Sequence, residues 1–132
     1  MYLLDTNIIS YLLLQNAKVK NKIETINLQE LVTCSIVVSE LLYGVKLSGS
    51  KQFELISFYN SFFERIEVIG YDFSASKIFA EIKSDLKING NIIEDFDLMI
   101  ASICLANDLI LVTNNTKDFE RINGLKIENW TK

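Results

Sequence analysis

Three acidic residues stand where the surrounding sequence is apolar, and their types and spacing are suited to chemistry. Asp5 ends the first apolar run, Glu40 lies within the apolar stretch 37–42, and Asp97 directly precedes the apolar stretch 98–101. Carboxylates with such neighbours are costly to bury unless they are paired or coordinated. Mg²⁺ and Mn²⁺ prefer oxygen ligands and would relieve the repulsion among three clustered acids. The pattern therefore indicates metal-assisted hydrolysis of a phosphodiester, without a nucleophilic side chain.

Each of these acids also has an ordinary structural interpretation. Asp5, followed by Thr6 and Asn7, is a good N-cap for a helix. Asp97 could sit in a first helical turn, where the helix dipole favours negative charge, and Glu40 could face solvent. Taken singly, these interpretations are at least as good as the chemical one, but the three acids together favour a site.

The absence of histidine narrows the chemistry further. It excludes Ser-His-Asp and Cys-His catalysis and any histidine-ligated metal. Acid–base chemistry then falls to carboxylates, lysine, tyrosine or a metal-activated water. Cys34 and Cys104 lie inside apolar segments, so we expect both to be reduced core residues rather than metal ligands.

Composition predicts one globular domain spanning residues 1–132, since 49% of the residues are hydrophobic and 23% are charged. The net charge of −4 argues against extended duplex binding, but it leaves room for local phosphate chemistry if several acids share one metal. No apolar stretch is long enough to span a membrane, and no secretory signal opens the chain. We therefore expect a cytoplasmic protein without a membrane partner.

Short apolar runs alternate with amphipathic segments, which predicts an α/β domain built in layers around a mainly parallel sheet. The carboxyl ends of parallel strands meet at one edge of such a sheet, so the three acids are expected to converge there. Strands are predicted at 2–4, 31–35, 66–69, 109–113 and 126–128, and helices at 6–14, 18–30, 37–47, 52–65, 72–87 and 96–106.

Taken together, these motifs resemble PIN-domain ribonucleases, specifically the VapC-type toxins of type II toxin–antitoxin systems. The order and spacing of the motifs make the resemblance specific over nearly the whole chain. It implies a single three-layer α/β/α domain with Mg²⁺- or Mn²⁺-dependent endoribonuclease activity. The motifs lie at residues 3–12, 39–45, 97–101, 111–115, 118–121 and 124–130.

The resemblance also assigns roles to individual residues. It implies that Asp5, Glu40 and Asp97 form the acidic triad that binds the metal and carries catalysis. Thr6 would orient Asp5, and Asn7 would be a neighbouring polar group. These roles follow from the family motif and not from the spacing of the residues alone.

The fourth acid of many PIN domains has no obvious counterpart in this chain. It follows the strand that ends here at Thr113, and the corresponding place holds Asn115. Asp118 could substitute for it, or it could be an ordinary turn residue, so the number of metal ions stays open. The missing acid also leaves a second function open, a non-catalytic PIN-like module that binds RNA or protein. A phosphotransfer receiver is the weakest alternative, because its acidic pair and late strand-end lysine are absent.

The family resemblance implies partners as well. Such toxins form homodimers and are inhibited by a VapB-like antitoxin whose tail enters the active-site groove, and their substrates are structured RNAs, foremost tRNA. An acidic protein needs local lysines to meet RNA phosphates, and Lys46, Lys77, Lys83 and Lys87 are candidates, although helix-surface lysines are more often simply solvated. The aromatic residues fit core or dimer packing better than base stacking: Phe58, Phe62, Phe63, Phe79 and Trp130.

Overall fold

The computed structural model describes all 132 residues and contains the predicted layered α/β/α domain around one sheet. The five strands are all parallel and lie in the order β3-β2-β1-β4-β5. The strands are β1 (Tyr2–Leu4), β2 (Leu31–Cys34), β3 (Glu67–Ile69), β4 (Ile110–Val112) and β5 (Ile127–Glu128). The helices are α1 (Thr6–Leu13), α2 (Ala17–Glu24), α3 (Ser35–Lys46), α4 (Gln52–Arg65), α5 (Phe73–Ile88), α6 (Asp95–Ala106) and α7 (Thr116–Phe119).

The central strands β1 and β4 carry continuous apolar runs because helices cover both of their faces. Leu3, Leu4, Leu111 and Val112 are all completely buried. Leu4 pairs with Val112, so the two strands end at the same level of the sheet. The residues that follow these strands therefore come side by side at the carboxyl edge.

The helices begin almost as soon as the strands end, which brings their first turns to the same edge. Asp5 alone separates β1 from α1, and α3 starts at Ser35, directly after β2. Glu40 is therefore one to two turns into α3, and Asp97 is the third residue of α6. These short connections, and not any long loop, position the acids.

The cysteines and aromatic residues that the sequence predicted for the core lie in it or pack against it. Cys34 and Cys104 are buried free thiols, as predicted. Core packing of the aromatic residues is confirmed, since Trp130 is buried and the four phenylalanines pack against the core: Phe58, Phe62, Phe63 and Phe79. None of the helices is both long and apolar enough to cross a membrane.

One local prediction was wrong, and one short helix was missed. The predicted helix 18–30 ends at Glu24 as α2, because Asn27 begins a separate 3₁₀ turn by accepting a hydrogen bond from the backbone N–H of Gln29. Helix α7 was not predicted at all. Its four residues are too few to show a helical period, although Phe119 anchors it in the core.

Candidate active site

Asp5 lies at the carboxyl edge of the sheet and is only 4% exposed. Its Oδ1 accepts a hydrogen bond from the backbone N–H of Thr6 (2.8 Å), as expected of an N-cap. Its Oδ2 accepts from the Thr113 hydroxyl (2.7 Å) and from the side-chain amide of Asn7 (3.2 Å). Burial raises the pKa of Asp5, and these three hydrogen bonds counteract only part of that rise. Asp5 therefore caps α1 and also belongs to a polar network that extends beyond the cap.

Thr113 was not among the predicted site residues, although it lies at the centre of this network. It is completely buried, and its Oγ1 accepts hydrogen bonds from the backbone N–H of Asn115 (3.0 Å) and the amide of Asn7 (3.4 Å). A hydroxyl has one proton to donate, and here that proton goes to Asp5. The sequence offered one indication, a hydroxyl residue that ends an otherwise apolar strand.

Asn7 holds Asp5 from the side of α1. Its Oδ1 accepts a hydrogen bond from the backbone N–H of Asn114 (3.0 Å). This contact fixes the orientation of the Asn7 side chain, because only the amide nitrogen can then face the Asp5 carboxylate. Asn7 thus lies beside Asp5, where the family motif implied a polar neighbour.

Glu40 approaches the same edge from α3. Its Oε1 accepts a hydrogen bond from the Thr6 hydroxyl (2.8 Å), and its side chain is half-buried, so the solvent-facing interpretation was wrong. Thr6 therefore contacts Asp5 through its backbone N–H, while its hydroxyl holds Glu40. Burial and the negative charges of Asp5 and Glu94 raise the pKa of Glu40.

Asp97 is the least constrained of the three acids. Its half-buried side chain takes part in none of the hydrogen bonds or ion pairs that the structure contains. Its pKa is raised to about 7, first by burial and then by the surrounding negative charges of Asp5, Glu40, Glu94 and Asp118. Asp5 and Glu40 are thus close enough to Asp97 for their charges to raise its pKa, which places the three predicted acids at one edge of the sheet.

Glu94 is a further acid at this edge that was not predicted. It precedes α6 in the N-cap position, but its exposed side chain makes no capping hydrogen bond. Its charge instead raises the pKa of both Glu40 and Asp97. An acid three residues ahead of Asp97, at the start of an apolar helix, was the available sequence indication.

Asp118 and Asn115 form the outer side of the cluster. Asp118 pairs with Arg121, and its Oδ2 accepts a hydrogen bond from the Asn115 side chain (3.4 Å). Asp118 is still close enough to raise the pKa of Asp97. Asn115, which was expected from the sequence to take the place of the fourth family acid, thus donates a hydrogen bond to Asp118, the acid proposed as its substitute.

The three predicted acids have no basic partner. The ion pairs of the structure are Lys83–Asp95, Arg121–Asp118 and Lys126–Asp108. As placed, no three acidic or thiol side chains form a group that could hold a metal ion. The ligand chemistry nevertheless fits a hard cation such as Mg²⁺, which prefers carboxylate oxygens. Burial and neighbouring negative charges disfavour the ionised form of these acids, and a bound cation would offset that cost.

Comparison with known proteins places this geometry in a family context. The chain is 37% identical to ribonuclease VapC2 of Rickettsia felis over 134 residues, which cover 100% of this chain and 99% of the relative. It is 32% identical to the tRNA(fMet)-specific endonuclease VapC of Shigella flexneri, with 98% of both chains covered.

Solved structures give the same result. VapBC2 from Rickettsia felis, bound to a DNA fragment from its promoter, superposes with a TM-score of 0.89 at 35% identity and covers 98% of each chain. VapBC from Salmonella typhimurium bound to DNA also gives a TM-score of 0.89, at 30% identity over 98% of this chain and 97% of that one. The PIN domain family model matches residues 2–125. The chain therefore belongs to the PIN domain family.

Proposed function

We propose that this chain is a metal-dependent endoribonuclease toxin of a VapBC-type system that hydrolyses phosphodiester bonds in structured RNA. The observation that carries the proposal is the cluster of three acids with raised pKa values and no basic partner at the carboxyl edge of the sheet. The names of the Rickettsia and Shigella relatives support ribonuclease chemistry, and the latter makes tRNA the first substrate to test. Such a substrate would be met in the cytoplasm.

The proposed catalytic residues are Asp5, Glu40 and Asp97. Asp5 and Asp97 would hold Mg²⁺ or Mn²⁺, and Glu40 would be a further ligand or the base that orients the attacking water. The bound ion would polarise the phosphodiester and lower the pKa of that water. No bond to a protein nucleophile is required.

The supporting residues act by fixing these carboxylates. Thr113 and Asn7 both donate hydrogen bonds to Oδ2 of Asp5. Rotation of the Asp5 carboxylate away from the edge would leave the Thr113 hydroxyl and the Asn7 amide without a partner, which is costly for buried groups. The Thr6 hydroxyl engages only Oε1 of Glu40, which leaves Oε2 to accept a proton. In the metal-free protein, burial and the charges of Asp5 and Glu94 raise the pKa of Glu40, which makes it a stronger base than an ordinary surface glutamate.

The proposal includes the partners implied by the family. The matched structures from Rickettsia and Salmonella are toxin–antitoxin complexes, which supports a VapB-like antitoxin for this chain. Phe53 at the start of α4 is 80% exposed, and Tyr43 and Leu47 on α3 are 67% and 69% exposed. These apolar side chains support a homodimer, since covering them would remove apolar surface from water. We also propose that residues 1–132 act as one domain.

Cleavage of a total tRNA pool by the purified protein in Mn²⁺ tests the function. We expect specific fragments that disappear in EDTA and in the Asp5→Asn variant, with a rate loss above about 100-fold, because loss of an outer-shell partner alone costs 10- to 100-fold. Asp95→Asn is the matched control. It removes one exposed, ion-paired carboxylate near the start of α6 and should leave cleavage unchanged.

Two outcomes would contradict parts of this proposal. Retained Mn²⁺-dependent cleavage in folded Asp5→Asn protein would remove Asp5 from the site. Intact tRNA that is nevertheless bound by folded, antitoxin-free wild-type protein in Mn²⁺ would favour the alternative, the non-catalytic RNA-binding module.

A further inference from the structure

A second polar feature lies outside the acidic cluster, between α2 and the C-terminal segment. It is an open cleft of about 690 Å³. Three lysines line it, Lys18 and Lys22 from α2 and Lys132 from the chain end, together with Glu128 and Trp130. None of these lysines was singled out from the sequence.

The lysines of this cleft have no acidic partner. None of the three takes part in any ion pair of the structure. Glu128 is the one acid that lines the cleft, and its Oε1 already accepts a hydrogen bond from the Trp130 indole N–H (2.9 Å). In a chain of net charge −4, the cleft therefore carries a local excess of positive charge.

Two of the four lysines proposed from the sequence are already engaged, whereas Lys46 and Lys87 form no ion pair. Lys83 pairs with Asp95 at 2.9 Å, and its Nζ also lies over the ring of Phe79. Lys77 lies over the exposed ring of Phe73. The cleft is distinguished by the three lysines that line it together, one of which, Lys22, has its Nζ 5.9 Å from the centroid of the Trp130 ring.

Backbone hydrogen bonding connects the cleft with the acidic cluster. The carbonyl of Glu128, on the edge strand, accepts a hydrogen bond from the backbone N–H of Thr113 (3.0 Å). The Thr113 side chain in turn contacts Asp5. Glu128 of the cleft is thus linked to Asp5 through Thr113, while Trp130 of the cleft packs against Tyr2 at the other end of β1.

The chemistry of the cleft favours a polyphosphate ligand over an acidic protein segment. Protein partners are held mainly by apolar and aromatic anchors, and Trp130, the only such residue lining the cleft, is 5% exposed. Its ring packs against Tyr2 and is not free to stack on a base. Lysines without an exposed aromatic surface suit the regularly spaced phosphates of a nucleic-acid backbone.

We propose that the cleft formed by Lys18, Lys22 and Lys132 binds the phosphodiester backbone of the RNA substrate outside the acidic cluster. The inference rests on the proposed function in so far as RNA is the ligand. The cleft contributes affinity and orientation without reading sequence, and the acids of the sheet edge carry the chemistry.

Binding of labelled tRNA in EDTA tests this role separately from cleavage. The triple variant Lys18→Gln, Lys22→Gln, Lys132→Gln should bind tRNA at least about tenfold more weakly at low salt, because three phosphate contacts are lost. The plot of log affinity against log salt concentration should become shallower, with its slope smaller in magnitude by about 2. The matched control, Lys20→Gln, Lys51→Gln, Arg65→Gln, removes the same charge from exposed basic residues that form no ion pair and do not line the cleft, and should stay within about twofold of wild type.

Equal losses in both triple variants would overturn the proposal, since the effect would then be one of net charge. Unchanged tRNA binding in the cleft variant would do the same. Displacement of tRNA from the wild-type protein, but not from the cleft variant, by a polyglutamate peptide at equal charge would reassign the cleft to an acidic protein segment. If wild-type protein binds tRNA through the cleft but does not cleave it in Mn²⁺, the catalytic proposal fails and this one stands.

Discussion

The acids of this protein fall into two groups that differ in how their charge is balanced. Three surface acids each pair with a base, namely Asp95 with Lys83, Asp108 with Lys126 and Asp118 with Arg121. The three acids of the sheet edge, Asp5, Glu40 and Asp97, form no ion pair, and their pKa values are raised. Asp5 and Glu40 accept hydrogen bonds from uncharged donors only. Exposed pairs contribute little to stability, whereas partly buried, unbalanced charges are costly. The contrast supports the proposal that the edge carboxylates bind a cation, at some cost in stability.

Among the acids of the two groups, replacing Asp97 should change stability and cleavage the most. The pKa of Asp97 is about 7 in the folded protein and has its ordinary value of 3.8 in the unfolded chain. Between these two pH values, Asp97 is protonated in the folded protein and ionised in the unfolded chain. The unfolded state then binds fewer protons, so the stability of the metal-free protein falls as pH rises from about 4 to 7. Asp97→Asn removes this penalty. We expect a higher melting temperature at pH 8, by about 4 °C, with the loss of most cleavage activity.

Thermal melts across pH 5–8, with and without Mn²⁺, check this prediction. Mn²⁺ should stabilise the wild type above pH 7 but leave the Asp97→Asn variant nearly unchanged, because a ligand stabilises only the state that binds it. Asp95→Asn, two residues away and ion-paired on the surface, should keep the wild-type pH dependence. A wild-type melting temperature that rises from pH 5 to pH 8 in EDTA would argue against a raised Asp97 pKa.

The second contrast concerns two buried threonines at the same edge of the sheet. Both Thr113 and Thr33 are completely buried and use their hydroxyls as donors. Thr113 donates to the Asp5 carboxylate, while Thr33 donates to the backbone carbonyl of Leu4 (2.9 Å). Thr33→Val removes one buried hydrogen bond, which costs about 1–3 kcal/mol. Thr113→Val removes the donated bond to Asp5 and the bonds accepted from Asn115 and Asn7, so its cost in stability should be larger. Only Thr113→Val should also lower cleavage and Mn²⁺ affinity, by about 10- to 100-fold.

Measurements of kcat, Mn²⁺ affinity and denaturant stability on both variants separate these roles. Thr113→Ser keeps the donor and should recover most of the activity. If Thr33→Val lowers activity as much as Thr113→Val does, the loss reflects general destabilisation and Thr113 has no special role in positioning Asp5.

The roles of these two threonines also mark how far sequence reasoning reaches. Apolar runs and helical periods are local, so the strands and long helices were predicted to within a few residues. The contact between Thr113 and Asp5 depends on the pairing of β1 with β4, which joins residues 108 positions apart. The Thr6 hydroxyl reaches Glu40 only because α1 packs beside α3. Such contacts are set by register and packing, which no local pattern encodes.

The smallest expected effect concerns Asp118, which belongs to the paired acids by its contact with Arg121 and to the edge cluster by its influence on Asp97. Because Arg121 and Asn115 already engage its carboxylate, Asp118→Asn should change cleavage by only about two- to fivefold, well below the loss of a direct ligand. Arg121→Gln is the informative companion. It frees the Asp118 charge and should raise the pKa of Asp97 further, which shifts the pH dependence of Mn²⁺ binding upward. A loss above 100-fold in Asp118→Asn would instead make Asp118 the substitute for the missing fourth acid, with a direct role in the edge cluster despite its pairing with Arg121.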